Sequence, residues 1–262
     1  MTQSHAASGP VSDRLRLDGR VAVVTGATSE LGFAIARALG QSGARIALAG
    51  RRIDDVEARC AALRDDGIEA TAFRVDVADV DACGSVVTQI VDEFGGVDVL
   101  VNNAGVGTAA PATREDPAQY RRSLEVNLMG AYWMSQACGR VMAPGSAVVM
   151  IASILGVTTT SLPQAGYVSS KAGLLGLTRD LARQWTGRKG IRVNAVAPGF
   201  LSTGLTERTP EGFNDDFVAT KVPAGRLGEA DEVAAAVLFL ASPAASFISG
   251  TMLAVDGGAL IT

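Results

Sequence analysis

Two kinds of apolar pattern alternate along the chain. Short runs rich in Val, Ile and Ala, bounded by Gly or polar turns, fall at residues 20–25, 45–49, 70–75, 97–101, 147–151, 191–196 and 252–255. Continuous apolar runs of this length read as strands covered on both faces. Longer stretches at 31–39, 54–64, 80–94, 117–142, 164–185 and 231–240 space their apolar residues as helices do. Strand and helix alternate with no Pro-, Gly- or Ser-rich linker and no internal repeat. The order predicts right-handed βαβ units and an α/β fold: a doubly wound, seven-stranded, mainly parallel sheet. One domain is expected over residues 17–262, preceded by a flexible tail at 1–16.

In such sheets the ligand lies beyond the carboxyl ends of the strands, so the residues that follow each strand carry the chemistry. After the first comes Thr25-Gly26-Ala27-Thr28-Ser29-Glu30-Leu31-Gly32. A glycine turn opening a helix is a phosphate site, because free N–H groups and the helix dipole both favour an anion. Glu30 stands where a middle glycine would let the backbone approach a pyrophosphate. It either points to solvent or weakens binding by charge repulsion. After the second strand, Gly50-Arg51-Arg52 offers no carboxylate for a ribose 2′-hydroxyl but two guanidiniums suited to a 2′-phosphate. Asp54 and Asp55 are close enough to pair with those arginines instead. Asp76 and Val77 end the third strand, where they could bracket an adenine, and Asn102-Asn103-Ala104-Gly105 ends the fourth. Asn127 is a poor helix former inside the long helical stretch 117–142, which implies a kink or a task at the site.

Tyr167 and Lys171 are four residues apart in a helix, which brings them to one face. An ammonium at that distance favours phenolate and predicts a tyrosine pKa drawn down towards working pH, suited to proton transfer at a carbonyl or alcohol oxygen. On its own Y-x-x-x-K is a weak signal, equally the mark of a packed Tyr and a solvated Lys.

Composition narrows the chemistry. The chain has 262 residues, 48% hydrophobic and 19% charged, with a net charge of −4 and no long basic run, which argues against a nucleic-acid surface. Cys60, Cys83 and Cys138 are too scattered for a disulfide framework and read as buried thiols in a reducing, cytoplasmic setting. No window is long and apolar enough to span a membrane. His5 is the only histidine, which removes Ser-His-Asp catalysis and a histidine-ligated metal; no metal is expected.

The combination T-G-x-x-x-x-x-G at 25–32, D-V at 76–77, N-N-A-G at 102–105, V-N-L at 126–128, Ser153, Y-x-x-x-K at 167–171, R-V-N at 192–194 and P-G at 198–199 resembles the short-chain dehydrogenase/reductase family. Residues 225–234 and V-D-G-G at 255–258 extend the match to about 17–258. The resemblance implies a Rossmann fold and an NAD(P)-dependent oxidoreductase acting on a carbonyl or secondary alcohol. It implies a catalytic set of Asn127, Ser153, Tyr167 and Lys171, with Tyr167 as acid/base and Asn127 holding a water that relays protons through Lys171. Cofactor contacts would fall on Gly26, Ser29, Leu31, Gly32, Arg51, Arg52, Asp76, Val77, Asn103, Ala104, Gly105, Tyr167, Lys171, Pro198, Gly199 and Thr203. NADP(H) is favoured over NAD(H) by Arg51 and Arg52. Within the family the pattern is similar to 3-oxoacyl reductases and gluconate-type dehydrogenases. A nucleotide-sensing protein without turnover is the alternative, with Glu30 as its support.

Substrate contacts are expected from Ser153, Gln164 and Tyr167, and from segments 154–164 and 205–222. The second, with Phe213 and Phe217, is expected to form a lid. The expected ligand is a small molecule such as a 3-oxoacyl thioester, sugar acid, polyol or ketone. The link 138–146 carries only Arg140 as a charge, which lowers the case for docking an acidic acyl carrier. Leu174, Leu175, Leu177, Trp185, Tyr132 and Trp133 occupy more helix faces than one sheet covers, which predicts a homotetramer.

Overall fold

The computed structural model describes residues 10–204 and 211–262. Seven strands form one sheet: β1 (Val21–Thr25), β2 (Arg45–Gly50), β3 (Ala70–Arg74), β4 (Val99–Asn102), β5 (Ala147–Ile151), β6 (Arg192–Pro198) and β7 (Met252–Val255). Their order is β3-β2-β1-β4-β5-β6-β7 and every pairing is parallel. The helices are α1 (Glu30–Gln41), α2 (Ile53–Asp65), α3 (Val80–Phe94), α4 (Pro117–Leu124), α5 (Gly130–Val141), α6 (Ala165–Lys189), α7 (Phe213–Lys221) and α8 (Ala230–Ala241).

Covering both faces explains the unbroken apolar strands. Val21 and Val23 of β1 join a core formed with α3, α5 and α6, while Ala22 and Val24 join the opposite core, formed with α1, α2 and α8. The strand order reverses between β1 and β4, which opens a crevice at their carboxyl ends.

The stretch expected as one helix at 117–142 is two. Glu125–Met129 forms a π-turn between α4 and α5, so that one extra residue fits into the ladder. Asn127 lies within that turn, which is the misfit its poor helix propensity signalled. Residues 1–9 of the expected tail, His5 among them, lie outside the described residues, while Val11–Leu15 forms a 3-10 turn. Of the expected lid, 205–210 also lies outside them. The rest carries α7, whose Phe213 and Phe217 rings meet Phe200 in tilted contacts with centroids 5.5 and 4.4 Å apart.

The helix-face argument for a tetramer weakens here. Leu174 and Leu175 are 1% and 6% exposed within their own chain, and Leu177, Trp185, Tyr132 and Trp133 are half-buried against the same core.

Candidate active site

The glycine turn is a braced structure. Gly26 has φ +64°, and a Cβ there would stand 2.7 Å from the Ala104 Cα. A Cβ on Gly32 would stand 2.6 Å from both the Asn103 Nδ2 and the Gly26 carbonyl oxygen. Only glycine fits at either place. Ser29 caps α1 by accepting from the Gly32 N–H at 3.1 Å. Asn103 reaches across from the end of β4 and donates Nδ2 to the Thr25 and Gly26 carbonyls, both at 3.0 Å. Thr25, absent from the expected site residues, accepts the Asn103 and Ala104 N–H groups on its hydroxyl at 3.1 Å. Its signal was a hydroxyl at the end of an otherwise apolar strand. Asn103 and Ala104 therefore shape the glycine turn, and the first-turn N–H groups of α1, including that of Leu31, have no intrahelical acceptor. The Glu30 carboxylate turns to the segment after β6, accepting from the Gly204 N–H at 3.2 Å.

A cavity of about 370 Å³ continues from this turn past Gly50, Arg51, Arg52, Asp76 and Val77. Arg52 forms an ion pair with Asp55, the competing partner that the sequence offered. Arg51 has no ion pair among the described residues. Of the two arginines expected to meet a 2′-phosphate, Arg51 is the one without such a pair. Asp76 accepts from the Ala78 N–H at 3.1 Å and pairs with Arg122 at 3.0 Å. Partial burial works against ionisation, but the Ala78 N–H and the Arg122 guanidinium together hold the Asp76 carboxyl below its usual range. Arg122 was not foreseen; nothing in its position on α4 marks it as facing β3.

The catalytic candidates meet at the other end of the crevice, in a cavity of about 620 Å³. Ser153, Gln164, Tyr167, Lys171, Pro198, Gly199 and Thr203 line it together with Leu155, Leu162 and Phe200. Gly105 and Leu31 also reach it, so the residues expected to meet cofactor and substrate share one continuous wall. A Cβ on Gly199 would stand 2.9 Å from the Asp256 Cα, which is why this strand end needs glycine. The Lys171 ammonium sits 5.5 Å from the centre of the Tyr167 ring and donates to the Ile151 carbonyl at 2.7 Å. Ser153 lines the same cavity as Tyr167 and accepts from the Leu155 N–H at 3.2 Å.

Asn127 accepts the Val106 N–H at 2.8 Å and donates to the Val106 carbonyl at 2.8 Å and to the Ser170 hydroxyl at 2.9 Å. Ser170 in turn donates to the Tyr167 carbonyl at 2.7 Å. The π-turn, the loop after β4 and the first turn of α6 are thereby locked together. Ser170 escaped the sequence reading because a serine between Tyr167 and Lys171 looks like any solvated helix residue.

The expected effect of Lys171 on Tyr167 is not what the site shows. Burial raises the Tyr167 phenol above its ordinary value, and the Ser153 hydroxyl only partly offsets it. Burial also lowers Lys171 to about 8. Two desolvated groups side by side each favour the neutral form. Spacing alone could not reveal this, because burial of both side chains is a property of the packed fold.

A nucleotide fits this set of donors. Lys171 has spent one N–H on Ile151 and keeps two for ribose hydroxyls, while the glycine turn and Arg51 supply donors for phosphate. Among the described residues no cluster of His, Cys, Asp and Glu could hold a metal, and no helix is long and apolar enough to cross a membrane.

Known proteins are similar to this chain over nearly its whole length. Residues 26–259 match the profile of the family described as "Enoyl-(Acyl carrier protein) reductase". A D-threitol dehydrogenase of Mycolicibacterium smegmatis is 41% identical over 261 residues, covering 98% of this chain and 98% of that one. A galactitol 2-dehydrogenase (L-tagatose-forming) of Cereibacter sphaeroides is 41% identical over 250 residues, covering 93% of this chain and 96% of the relative. The solved structure of a gluconate 5-dehydrogenase from Burkholderia cenocepacia J2315, in complex with NADP and tartrate, superposes with a TM-score of 0.90 at 31% identity, covering 97% of this chain and 100% of that one. The chain is an oxidoreductase and belongs to the short-chain dehydrogenase/reductase family.

Proposed function

We propose that the protein is an NADP(H)-dependent dehydrogenase of small polyols or sugar acids, with Tyr167 as its acid/base. The observation that carries this reading is the convergence of Ser153, Tyr167 and Lys171 on one cavity beside the glycine turn. The bound nicotinamide supplies hydride exchange at the substrate carbon. The protein does the rest. Ser153 donates to the substrate oxygen and stabilises negative charge developing there. Tyr167 gives its proton to that oxygen in reduction and receives it in oxidation. Because burial holds the phenol neutral, neutral pH favours the reducing direction and oxidation asks for alkaline conditions. Lys171 uses its remaining N–H groups on the nicotinamide ribose.

Asn127 is assigned the water that relays protons through Lys171. The Asn127 Oδ1 and Lys171 Nζ both stand beside Gly105, 3.6 and 3.7 Å from where a Cβ on it would be. Gly26, Ser29, Leu31 and Gly32 would hold the pyrophosphate, Asp76 and Val77 the adenine, Arg51 a 2′-phosphate, and Thr203 the carboxamide or diphosphate. Gln164 is the polar contact for a substrate hydroxyl, set at the N-terminal cap of α6 in the cavity wall. The polyol relatives and the sparsely charged link 138–146 favour this class over acyl-carrier substrates. The complete catalytic set argues for turnover rather than sensing alone, and a homotetramer is the proposed assembly.

Fluorescence titration with NADPH and NADH, followed by a panel of polyols, sugar acids, ketones and acyl thioesters with each nucleotide, tests the reading. Oxidation of a four- to six-carbon polyol with NADP is the expected result. Failure to bind either nucleotide would sink it, and turnover of thioesters alone would replace the substrate class. A monomer in light scattering would remove the tetramer.

A further inference from the structure

Phe33, in the first turns of α1, carries two guanidiniums on its ring. The Cζ of Arg37 stands 6.0 Å from the ring centre and that of Arg59, from α2, stands 4.7 Å away. Their charges are treated differently. Arg37 is answered by Asp231, with both carboxylate oxygens at 3.0 Å. Arg59 has no carboxylate partner among the described residues. Its one hydrogen bond goes to the Thr28 carbonyl at 3.5 Å, the outer limit of such a contact. It is half-buried, and it lines the large cavity beside Thr28, Ser29, Glu30 and Leu31.

A guanidinium stacked on an aromatic face and tethered to one carbonyl is fixed in place, yet most of its N–H donors stay available. Here they are presented at the turn that opens α1. That turn carries a carboxylate, Glu30, where an anion is to be received. A helix N-terminus contributes only a partial positive charge, and a full negative charge in its first turn offsets much of it. A cation brought in from α2 restores the balance.

We infer that Arg59 is a phosphate-binding residue of the cofactor cleft, contacting the phosphate of the nucleotide nearest Thr28 and offsetting the charge of Glu30. This rests on the reading of the cleft as a nicotinamide nucleotide site. The shared chemistry is a phosphate oxyanion, which belongs to the pyrophosphate or to the 2′-phosphate of NADP(H).

NADPH and NADH are titrated by fluorescence against the wild-type protein, Arg59→Met and Arg59→Lys, with steady-state kinetics on the same proteins. Methionine keeps apolar contact with Phe33 and removes the charge; lysine keeps the charge and loses the planar fork. Arg59→Met is expected to raise the nucleotide Kd and KM about tenfold, with kcat nearly unchanged and a shallower dependence on salt. Arg59→Lys is expected to recover part of the loss. A loss confined to NADPH assigns the 2′-phosphate, and an equal loss for NADH assigns the pyrophosphate. A role limited to packing α2 on α1 would lower the thermal midpoint of both variants and leave Kd where it was, which overturns the inference. So does unchanged binding in Arg59→Met; should that variant fail to fold, Arg59→Lys with wild-type affinity and salt dependence for charge but full loss on Arg59→Gln supports it, and wild-type affinity in Arg59→Gln overturns it. Wild-type protein that binds neither nucleotide would overturn the reading of the cleft, and Arg59 with it.

Discussion

The two ends of the crevice use the same sheet edge in opposite ways. At the Tyr167 end the polar groups are buried and joined: Asn127, Lys171 and Ser153 are 1%, 4% and 7% exposed. Hydrogen bonds run from Val106 through Asn127 and Ser170 to the Tyr167 backbone, while Lys171 donates to the Ile151 carbonyl and Ser153 accepts from the Leu155 N–H. At the Arg52 end the charges lie in water. The Arg52–Asp55 pair has side chains 68% and 50% exposed, and such pairs contribute little. Burial lets the first region shift acid–base behaviour and hold geometry, whereas solvent screens whatever the second region does. Substitutions at the buried end are therefore expected to act on kcat and to be indifferent to salt. Those at the exposed end are expected to act on nucleotide KM and to fade as salt rises.

The largest effect is expected from Tyr167→Phe. It removes the proton donor and leaves the ring in its packing site, so kcat falls by about 10²–10⁴ while NADPH affinity stays within about twofold of wild type. Stopped-flow binding beside steady-state rates measures both. Full activity in this variant would remove Tyr167 from its role and dissolve the contrast between the two ends.

Next in size is the pH response of Lys171. Its folded value of about 8 lies below the ordinary 10.5, so between those values the unfolded chain binds a proton that the folded chain does not. Folding stability therefore rises with pH across that window and carries the full penalty below it. Relative to Lys171→Met, the wild-type protein should gain roughly 3 kcal/mol of unfolding free energy between those limits. Tyr167, raised by burial, opposes this only above its ordinary value of 10, and does so in both proteins. Denaturant titrations at several alkaline pH values give the difference directly. Parallel curves would mean that the ammonium is hydrated and that the catalytic end is wetter than its geometry implies.

Much of this was legible in the chain. Strands covered on both faces read as unbroken apolar runs, so β1, β5 and β6 stood out, and the turns after them supplied candidates that line one cavity. What stayed hidden depends on which neighbours meet. Nothing in 117–142 distinguishes an extra residue in the helical ladder from regular winding, so the π-turn under Asn127 could only be suspected. Two arginines after β2 looked equivalent until one of them found Asp55. The Thr25 and Ser170 hydroxyls are small side chains whose roles come from partners distant in sequence, 78 residues away for Thr25 and Asn103. The direction of the Tyr167 shift follows from burial, which the spacing of Tyr167 and Lys171 does not reveal.

Smaller effects belong to the exposed end. Arg51→Met should raise the NADPH KM about tenfold at low salt, because among the described residues that guanidinium forms no ion pair and acts on Asp76 only at longer range. Arg52→Met should change it by about twofold or less, since Asp55 already holds the charge. Equal losses from both would show that the ion pair opens for the nucleotide. Loss of NADH affinity in Arg51→Met would move its contact away from the 2′-phosphate.

The smallest effect is expected at Glu30, and it separates charge from shape. Glu30→Gln keeps a side-chain oxygen to accept from the Gly204 N–H and removes only the negative charge. Glu30→Ala removes both. Glu30 is at the first position of α1, where a carboxylate faces an incoming phosphate across solvent of high dielectric. NADPH affinity should then improve about threefold in Glu30→Gln at low ionic strength and return to the wild-type value in about 0.5 M salt. If charge alone matters, Glu30→Ala matches it, and kcat stays constant in both because the catalytic groups lie in the buried network. A fall of kcat in Glu30→Ala but not in Glu30→Gln would show that the bond to Gly204 positions Thr203 over the site. The exposed end would then share the geometric sensitivity of the buried one, and the division between them would have to be redrawn along that hydrogen bond.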